Sequence, residues 1–208
     1  GSLLFSAGFF LSGYANGNLF ANGVATSSIV EDYQPGKVNS SPEDPINVLY
    51  VVNKNDPLFG ISWRKWMDAV SLGADFYDGD NDGIYNPVDK NFNDTWDMNE
   101  DMPPLIGDEI VWCVYNDGVP ANLRRYGVDP IGVEVQQTLF ASGNPDLVDV
   151  IFIKYKLTNT GLVSDVLDSI YFSPWDDTDI GDATDDLGGC DTLIESLFTY
   201  NSSEDAQY

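Results

Sequence analysis

Twelve residues constrain this chain more than any others: Asp78-Gly79-Asp80-Asn81-Asp82-Gly83-Ile84-Tyr85-Asn86-Pro87-Val88-Asp89. The pattern is D-x-D-x-D-G with an acid at the twelfth place, the spacing of a looped calcium site. Oxygens at places 1, 3 and 5 point inward, and Gly at place 6 permits a sharp turn. A backbone carbonyl at place 7 and an acid at place 12 close the shell. Here Asp78, Asp80 and Asp82 offer side-chain oxygens and Ile84 its carbonyl. Asn86 ligates directly or through water, and Asp89 closes. Elsewhere the residues mostly describe a fold; here type and spacing together specify chemistry.

The loop departs from an EF-hand in two ways. Its last place holds Asp rather than a bidentate Glu, and no helices flank it in the sequence. In both respects it is more like the calcium loops of dockerin modules and thrombospondin type 3 repeats. A second run begins where the first ends. Asp89, Asn91, Asn93, Thr95, Asp97 and Glu100 fall at places 1, 3, 5, 7, 9 and 12, with Asp94 where Gly is expected. Asp adopts left-handed backbone angles at some cost. Asp89 would then be shared by two loops. The acids of residues 75–101 repel one another unless something neutralises them.

A third acidic cluster, Asp176, Asp177, Asp179, Asp182, Asp185 and Asp186, matches no standard loop spacing. Three readings stand: a calcium site built on Asp177, Asp179 and Asp182, a carboxylate pair for glycoside hydrolysis, or a solvated loop. Arg124 and Arg125 are expected to pair with the acidic loops.

The composition excludes whole classes of function. The chain has 34 acids against 9 bases, a formal charge of −25, and no histidine. Nucleic acids and anionic membranes need a basic surface. Without histidine there is no Ser-His-Asp or Cys-His catalysis and no His-ligated zinc. The acids are 27 Asp and 7 Glu, and 13% of residues are aromatic. A disordered acidic tail favours Glu and lacks aromatics, so ordered loops and hard-cation ligation fit better. Cys113 and Cys190 form a bridge in an oxidising compartment, or else are free, small hydrophobes. The apolar run Leu3 to Leu11 is too short to span a bilayer and lacks a basic flank. The chain reads as an internal or mature piece of a longer protein.

The patterning is mainly β. Asn16-Gly17 between apolar runs predicts a hairpin of Leu3–Ser12 with Leu19–Thr26. Further strands are expected over Ile46–Val52, Glu109–Tyr115, Ile131–Ala141, Val148–Thr158, Val166–Phe172 and Thr192–Tyr200, with 173–191 a loop. The strand 148–158 is almost continuously apolar at its centre, which predicts a central place in a sheet. Trp63, Trp66, Met67 and Val70 recur with helical period, and Ser62 is the expected N-cap. The expected fold is an antiparallel β-sandwich with one short helix and Asp-rich calcium loops. Residues 1–108 would hold the hairpin, helix and tandem loop, and 109–208 the sandwich strands, as two regions or one continuous domain.

Several segments carry a family resemblance. They are Phe5-Ser-Ala-Gly-Phe-Phe-Leu-Ser-Gly with Asp32-Tyr-Gln-Pro-Gly, and Phe76-Tyr-Asp-Gly-Asp-Asn-Asp-Gly-Ile-Tyr-Asn-Pro. Then come Gly107-Asp-Glu-Ile-Val-Trp, Asp129-Pro-Ile-Gly-Val-Glu-Val, and Trp175-Asp-Asp-Thr-Asp-Ile-Gly-Asp-Ala-Thr-Asp-Asp with Gly189-Cys-Asp. In this order the chain resembles the N-terminal regions of large secreted proteins of Bacteroidetes and related bacteria that end in a type IX secretion sorting domain. The resemblance implies export and display on, or release from, the cell surface. It carries no activity. Separately, Tyr155-Lys-Leu-Thr-Asn-Thr-Gly followed by Leu167-Asp-Ser-Ile-Tyr-Phe looks like paired strands of bacterial surface immunoglobulin-like domains.

The expected function is therefore a non-enzymatic, calcium-stabilised structural or adhesion protein, secreted or on the cell surface. Its partners would be other extracellular proteins or further copies of itself, with no nucleic acid and no membrane insertion. The alternative is a protein that binds or cleaves extracellular polysaccharide through the Asp176–Asp186 loop.

Overall fold

The computed structural model describes residues 4–23, 32–181 and 184–202. The chain is mainly β with one α-helix, a sandwich-like class of fold, and every strand pairing among the described residues is antiparallel. It divides into two units that interleave along the sequence. One comprises Gly1–Tyr33, Val119–Ile131 and Val166–Tyr208; the other comprises Gln34–Gly118 and Gly132–Asp165. Residue 108 falls inside the second.

In the first unit, β1 (Ser6–Ala15) and β2 (Asn18–Gly23) form the expected hairpin. Asn16 and Gly17 both take positive φ (50° and 77°), as a two-residue turn of matching twist requires. The expected ends at Leu3 and Thr26 lie outside the described residues, while Leu4 and Phe5 are described and precede β1. β8 (Leu167–Asp177) pairs with the other edge of β1. Phe9, Leu11 and Phe20 are buried, and Phe9 stacks on Phe172 at 4.8 Å. The stretch 173–191 is not one loop. β8 runs on to Asp177, and β9 (Asp186–Asp191) forms a hairpin with β10 (Ser196–Asn201). Alternation was weak there because Gly188 and Gly189 interrupt it, so β9 escaped notice.

The second unit carries one sheet, in the order β3 (Gln34–Pro35), β5 (Glu109–Asn116), β6 (Val133–Ala141), β7 (Ile151–Asn159), with β4 (Tyr50–Asn53) also on β5. β4 is shorter than the expected 46–52. Helix α1 (Ile61–Leu72) supplies a second layer. Along β5 burial alternates, and Ile110, Trp112 and Val114 face the helix residues Trp63, Trp66, Ala69 and Leu72. Each Trp buries roughly 150–250 Å² of surface, so these rings dominate the core. Met67, expected inside, is exposed, and Ala69 and Leu72 lie on the buried face instead. Ser62 does not cap the helix: Gly60 is the N-cap residue, without a side-chain cap bond. At the other end Gly73 (φ 110°) and Ala74 donate to the carbonyls of Val70 and Ala69. That left-handed stop favours Gly.

β7 is not central. Among the described residues it ends the sheet, and most of its side chains are exposed. β7 and β8, the strands that the immunoglobulin-like motif would pair, belong to different sheets. No helix among the described residues is long and apolar enough to cross a membrane.

Candidate metal centre

The acidic region leaves the helix at Gly73, is tied back to the helix at two points and is closed on itself at a third. Trp66 Nε1 donates to Asp75 O (3.0 Å), Tyr85 Oη donates to Trp63 O (3.0 Å), and Tyr77 and Met102 form a β-bridge. Tyr85 is buried, and burial pushes its phenol far above the ordinary range. It is an anchor and stays protonated.

Inside this frame the first loop turns as its sequence predicts. Asp78 Oδ1 and Oδ2 accept from the N–H groups of Asp82 (3.2 Å) and Gly83 (2.9 Å). Asp82 Oδ1 accepts from Ile84 N–H (2.7 Å). Asn81 and Gly83 take left-handed φ of 60° and 77°. These bonds bring one oxygen each of Asp78, Asp80 and Asp82 within 4.8 Å of one another. Three hard oxygen donors this close can hold a metal ion. They are the one such group of acidic or sulfur ligands among the described residues.

A cationic side chain already touches the cluster. Lys90 Nζ donates to Asp80 Oδ2 (2.5 Å) and to Asn99 O (2.9 Å). That bond holds the Asp80 carboxyl below its ordinary range and pushes the Lys90 ammonium up.

Asp89 opens the second loop, where its carboxylate accepts from Asn91, Phe92 and Asn93 N–H (3.3, 2.7 and 3.3 Å) and from Asp94 N–H (2.8 Å); the acids gathered in the first loop are Asp78, Asp80 and Asp82. Desolvation raises the pKa of Asp89, but those four donors outweigh it and hold the group below the ordinary range. The first loop is clasped by Asp101, whose two oxygens accept from Gly79 N–H (2.9 Å) and Asn86 N–H (2.8 Å). The second is clasped by Glu100, which accepts from Lys90 N–H (2.6 Å) and Asp97 N–H (3.0 Å). In each loop the clasped amides are places 2 and 9. Both clasping residues are buried, at 0% and 1% exposure. Gly79 is needed here because a Cβ would strike the backbone of Asn99 and Glu100.

The second loop repeats the backbone of the first. Phe92 and Asp94 take φ of 61° and 60°, at the same places as Asn81 and Gly83. Asp94 therefore adopts the conformation that Gly has in the first loop. Asn93 Oδ1 accepts from Thr95 N–H (2.9 Å) and Thr95 Oγ1 (2.8 Å). Asn91 and Asn93 amides both reach Asp97 Oδ2, at 2.7 and 3.0 Å. Places 3, 5 and 9 of this loop thus converge as well.

The third acidic cluster is divided between the end of β8 and the start of β9, which belong to different sheets. Asp177 is the last residue of β8, opposite Ser6, and Asp179 follows beyond the strand. Asp182 lies outside the described residues. Asp186 Oδ2 accepts from Ile180 N–H (3.1 Å). Arg124 does not serve the acidic loops. Its side chain and that of Asp32 are both fully buried, with Nε 4.0 Å from Asp32 Oδ1, and Nη2 donates to Asn22 Oδ1. Asp32 also accepts from Gly23 N–H (2.5 Å) and Arg125 N–H (2.9 Å).

Sequence reading overlooked Asp101 and Lys90. The signal for Asp101 was the register between the loops: Glu100 serves amides 90 and 97, and its neighbour serves the equivalent pair 79 and 86. Compared with protein-family models, with curated proteins and with solved structures, the chain shows no match.

Proposed function

We propose that this chain is a calcium-stabilised structural or adhesion region of a secreted or cell-surface protein, working within an extracellular assembly. The observation that carries the reading is the pair of consecutive loops with one backbone plan. Each is clasped by a buried carboxylate, and the first gathers three Asp oxygens. The residues fit a hard cation: the donors are all oxygen, they lie within 4.8 Å of one another, and one already accepts a positive charge from Lys90. Asp78, Asp80 and Asp82 would hold the ion, with the Ile84 carbonyl and Asn86 completing the shell. The second loop offers Asp89, Asn91, Asn93, the Thr95 carbonyl, Asp97 and Glu100 to a further ion.

A bound cation would supply charge neutralisation, and the chain's own residues do the rest. Gly79 and Gly83 let the loop turn, Asp101 clasps it, and Tyr85 fixes it to the helix. The role is mechanical: it stiffens the region after α1. The strongly acidic surface and the resemblance to exported proteins support an extracellular setting, where calcium is plentiful.

Binding to the folded state alone stabilises by about 2.7 kcal/mol at a hundredfold excess over Kd. Thermal unfolding is the test. Millimolar calcium is expected to raise the melting temperature above its value in EDTA, and Asp80→Ala with Asp82→Ala to remove most of the rise. Superimposable melting curves in EDTA and calcium would sink the proposal.

A further inference from the structure

Strand β7 pairs with β6 on one side and, among the described residues, ends the sheet on the other. Its register runs unshifted from Ile151 opposite Ala141 to Asn159 opposite Val133. Over these nine residues there is no Pro and no bulge, two of the devices that blunt an edge; a third, charged side chains, is present as Lys154 and Lys156 and opposes pairing with a basic or identical strand. The Thr160 N–H to Gly132 O bond (3.2 Å) fixes the alternation. Even-numbered residues bond to β6, while Ile151, Ile153 and Leu157 direct their backbone groups away from it.

The side chains divide by face. Ile153 stands in a row with Val111 and Leu139, and Leu157 in a row with Tyr115 and Val135. Ile151, Ile153 and Leu157 are 68%, 43% and 38% exposed. On the opposite face Lys154 stands beside Thr138 and Lys156 beside Gln136. Among the described strands β7 alone carries a Lys or Arg, and it carries no acid, in a chain with 34 acids and 9 bases. Lys154 has Asp75 at 3.6 Å, but both side chains are more than half exposed, which makes the pair weak.

We propose that β7 is a docking edge for an extended segment of a partner protein whose side chains alternate acidic and apolar, added as a further strand of this sheet. Main-chain bonds along the outward positions would supply affinity. Lys154 and Lys156 on one face, and Ile153 and Leu157 on the other, would select the alternation. The partner strand would lie about 4.8 Å away, inside the Debye length of about 8 Å at physiological ionic strength. Its acids therefore meet these two lysines at close range, with Asp75 beside Lys154 as a competing carboxylate. A second copy of β7 is a poor occupant, because antiparallel self-pairing centred on Tyr155 would set Lys154 against Lys156. The inference rests on the assembly part of the proposed function; the cation site has no share in it.

The test uses two labelled synthetic peptides of nine residues, one alternating Glu and Val and one alternating Lys and Val. Each is titrated against the full chain and followed by fluorescence anisotropy. The Glu–Val peptide is expected to bind at least about tenfold tighter, and Ile153→Pro to weaken it by about tenfold or more. That proline removes an outward N–H and spares the ladder to β6. Lys154→Glu with Lys156→Glu is expected to reverse the preference, and it carries the test alone if the proline variant fails to fold. Failure of the Glu–Val peptide to bind, equal binding of both peptides, or binding unchanged by the charge reversal overturns the proposal. So does self-association of the chain that Ile153→Pro abolishes, which would assign the edge to a second copy. Calcium-dependent melting is read separately, so loss of the docking edge leaves the cation reading intact.

Discussion

Glu100 and Asp101 are neighbours in the chain, and they clasp two different loops at the same two places. Glu100 accepts from the amides of Lys90 and Asp97, and Asp101 from those of Gly79 and Asn86. Neither carboxylate has an arginine or lysine side chain among these bonds. Each is held by backbone N–H groups.

Asp101→Ala should therefore open the first loop from its far side. It strips the amides of Gly79 and Asn86 of their acceptor, and a buried donor left unmet costs about 1–3 kcal/mol. The expected loss is roughly 2–4 kcal/mol, read from the urea midpoint. Asp101→Asn keeps one acceptor oxygen and should lose less. An unchanged midpoint in the Ala variant would show that the clasp contributes nothing.

Asp94 occupies a left-handed position at φ 60°. Asp94→Gly should relieve backbone strain and stabilise the chain by up to about 1 kcal/mol. Asp94→Val, with a branched Cβ at positive φ, should destabilise it. The order of melting temperatures, Gly above Asp above Val, is the check.

Arg124→Met leaves Asp32 buried without its guanidinium partner. Breaking a buried pair from one side costs about 3–5 kcal/mol. Chemical denaturation measures it, and a loss comparable to that of an exposed control such as Arg64→Met would contradict the burial of the pair.

Acid should loosen the loops. Asp80 and Asp89 titrate below their ordinary value of 3.8 in the folded chain. A depressed carboxyl stabilises the fold above its unfolded pKa and loses that contribution as pH falls through the folded one. The amide signals of Asp82, Gly83, Phe92 and Asp94 should hold steady down to about pH 4 and shift below it. Lys90→Met removes the main cause at Asp80, so the first loop should shift at higher pH than in the parent. Identical titrations of the two chains would remove Lys90 from this role.

The two thiols should differ in reactivity. Both cysteines are free; Cys190 is exposed and Cys113 half-buried in β5. Burial pushes the Cys113 thiol up to about 11, and the thiolate is the reactive form. A thiol-disulfide reagent near neutral pH should modify Cys190 quickly and Cys113 slowly. Cys190→Ser should abolish the fast phase.

Local signals were legible in the sequence, and distant ones were not. Asn16-Gly17 marked the hairpin because a turn needs only its own two residues. The loop spacing marked Asp78, Asp80 and Asp82 for the same reason, and the alternation of β5 was visible as period two. Asp101 could not be read this way, because its partners lie 22 and 15 residues back. Arg124 was misplaced because its partners, Asn22 and Asp32, lie about a hundred residues earlier in the chain. The position of β7 was misread because an apolar run was equated with a central strand. Hydrophobicity reports what a strand can bury, whereas its place in the order is set by which strands find it.

The adjacency of Glu100 and Asp101 has a kinetic consequence. A single peptide bond joins the two clasps, so displacing either carboxylate pulls on the other. Amide protons of Gly79, Asn86, Lys90 and Asp97 should then show one common opening free energy in exchange with solvent deuterium, once each is corrected for its intrinsic rate, as a single opening unit. The twin loops would breathe together, and a ligand that quiets one would slow exchange in both.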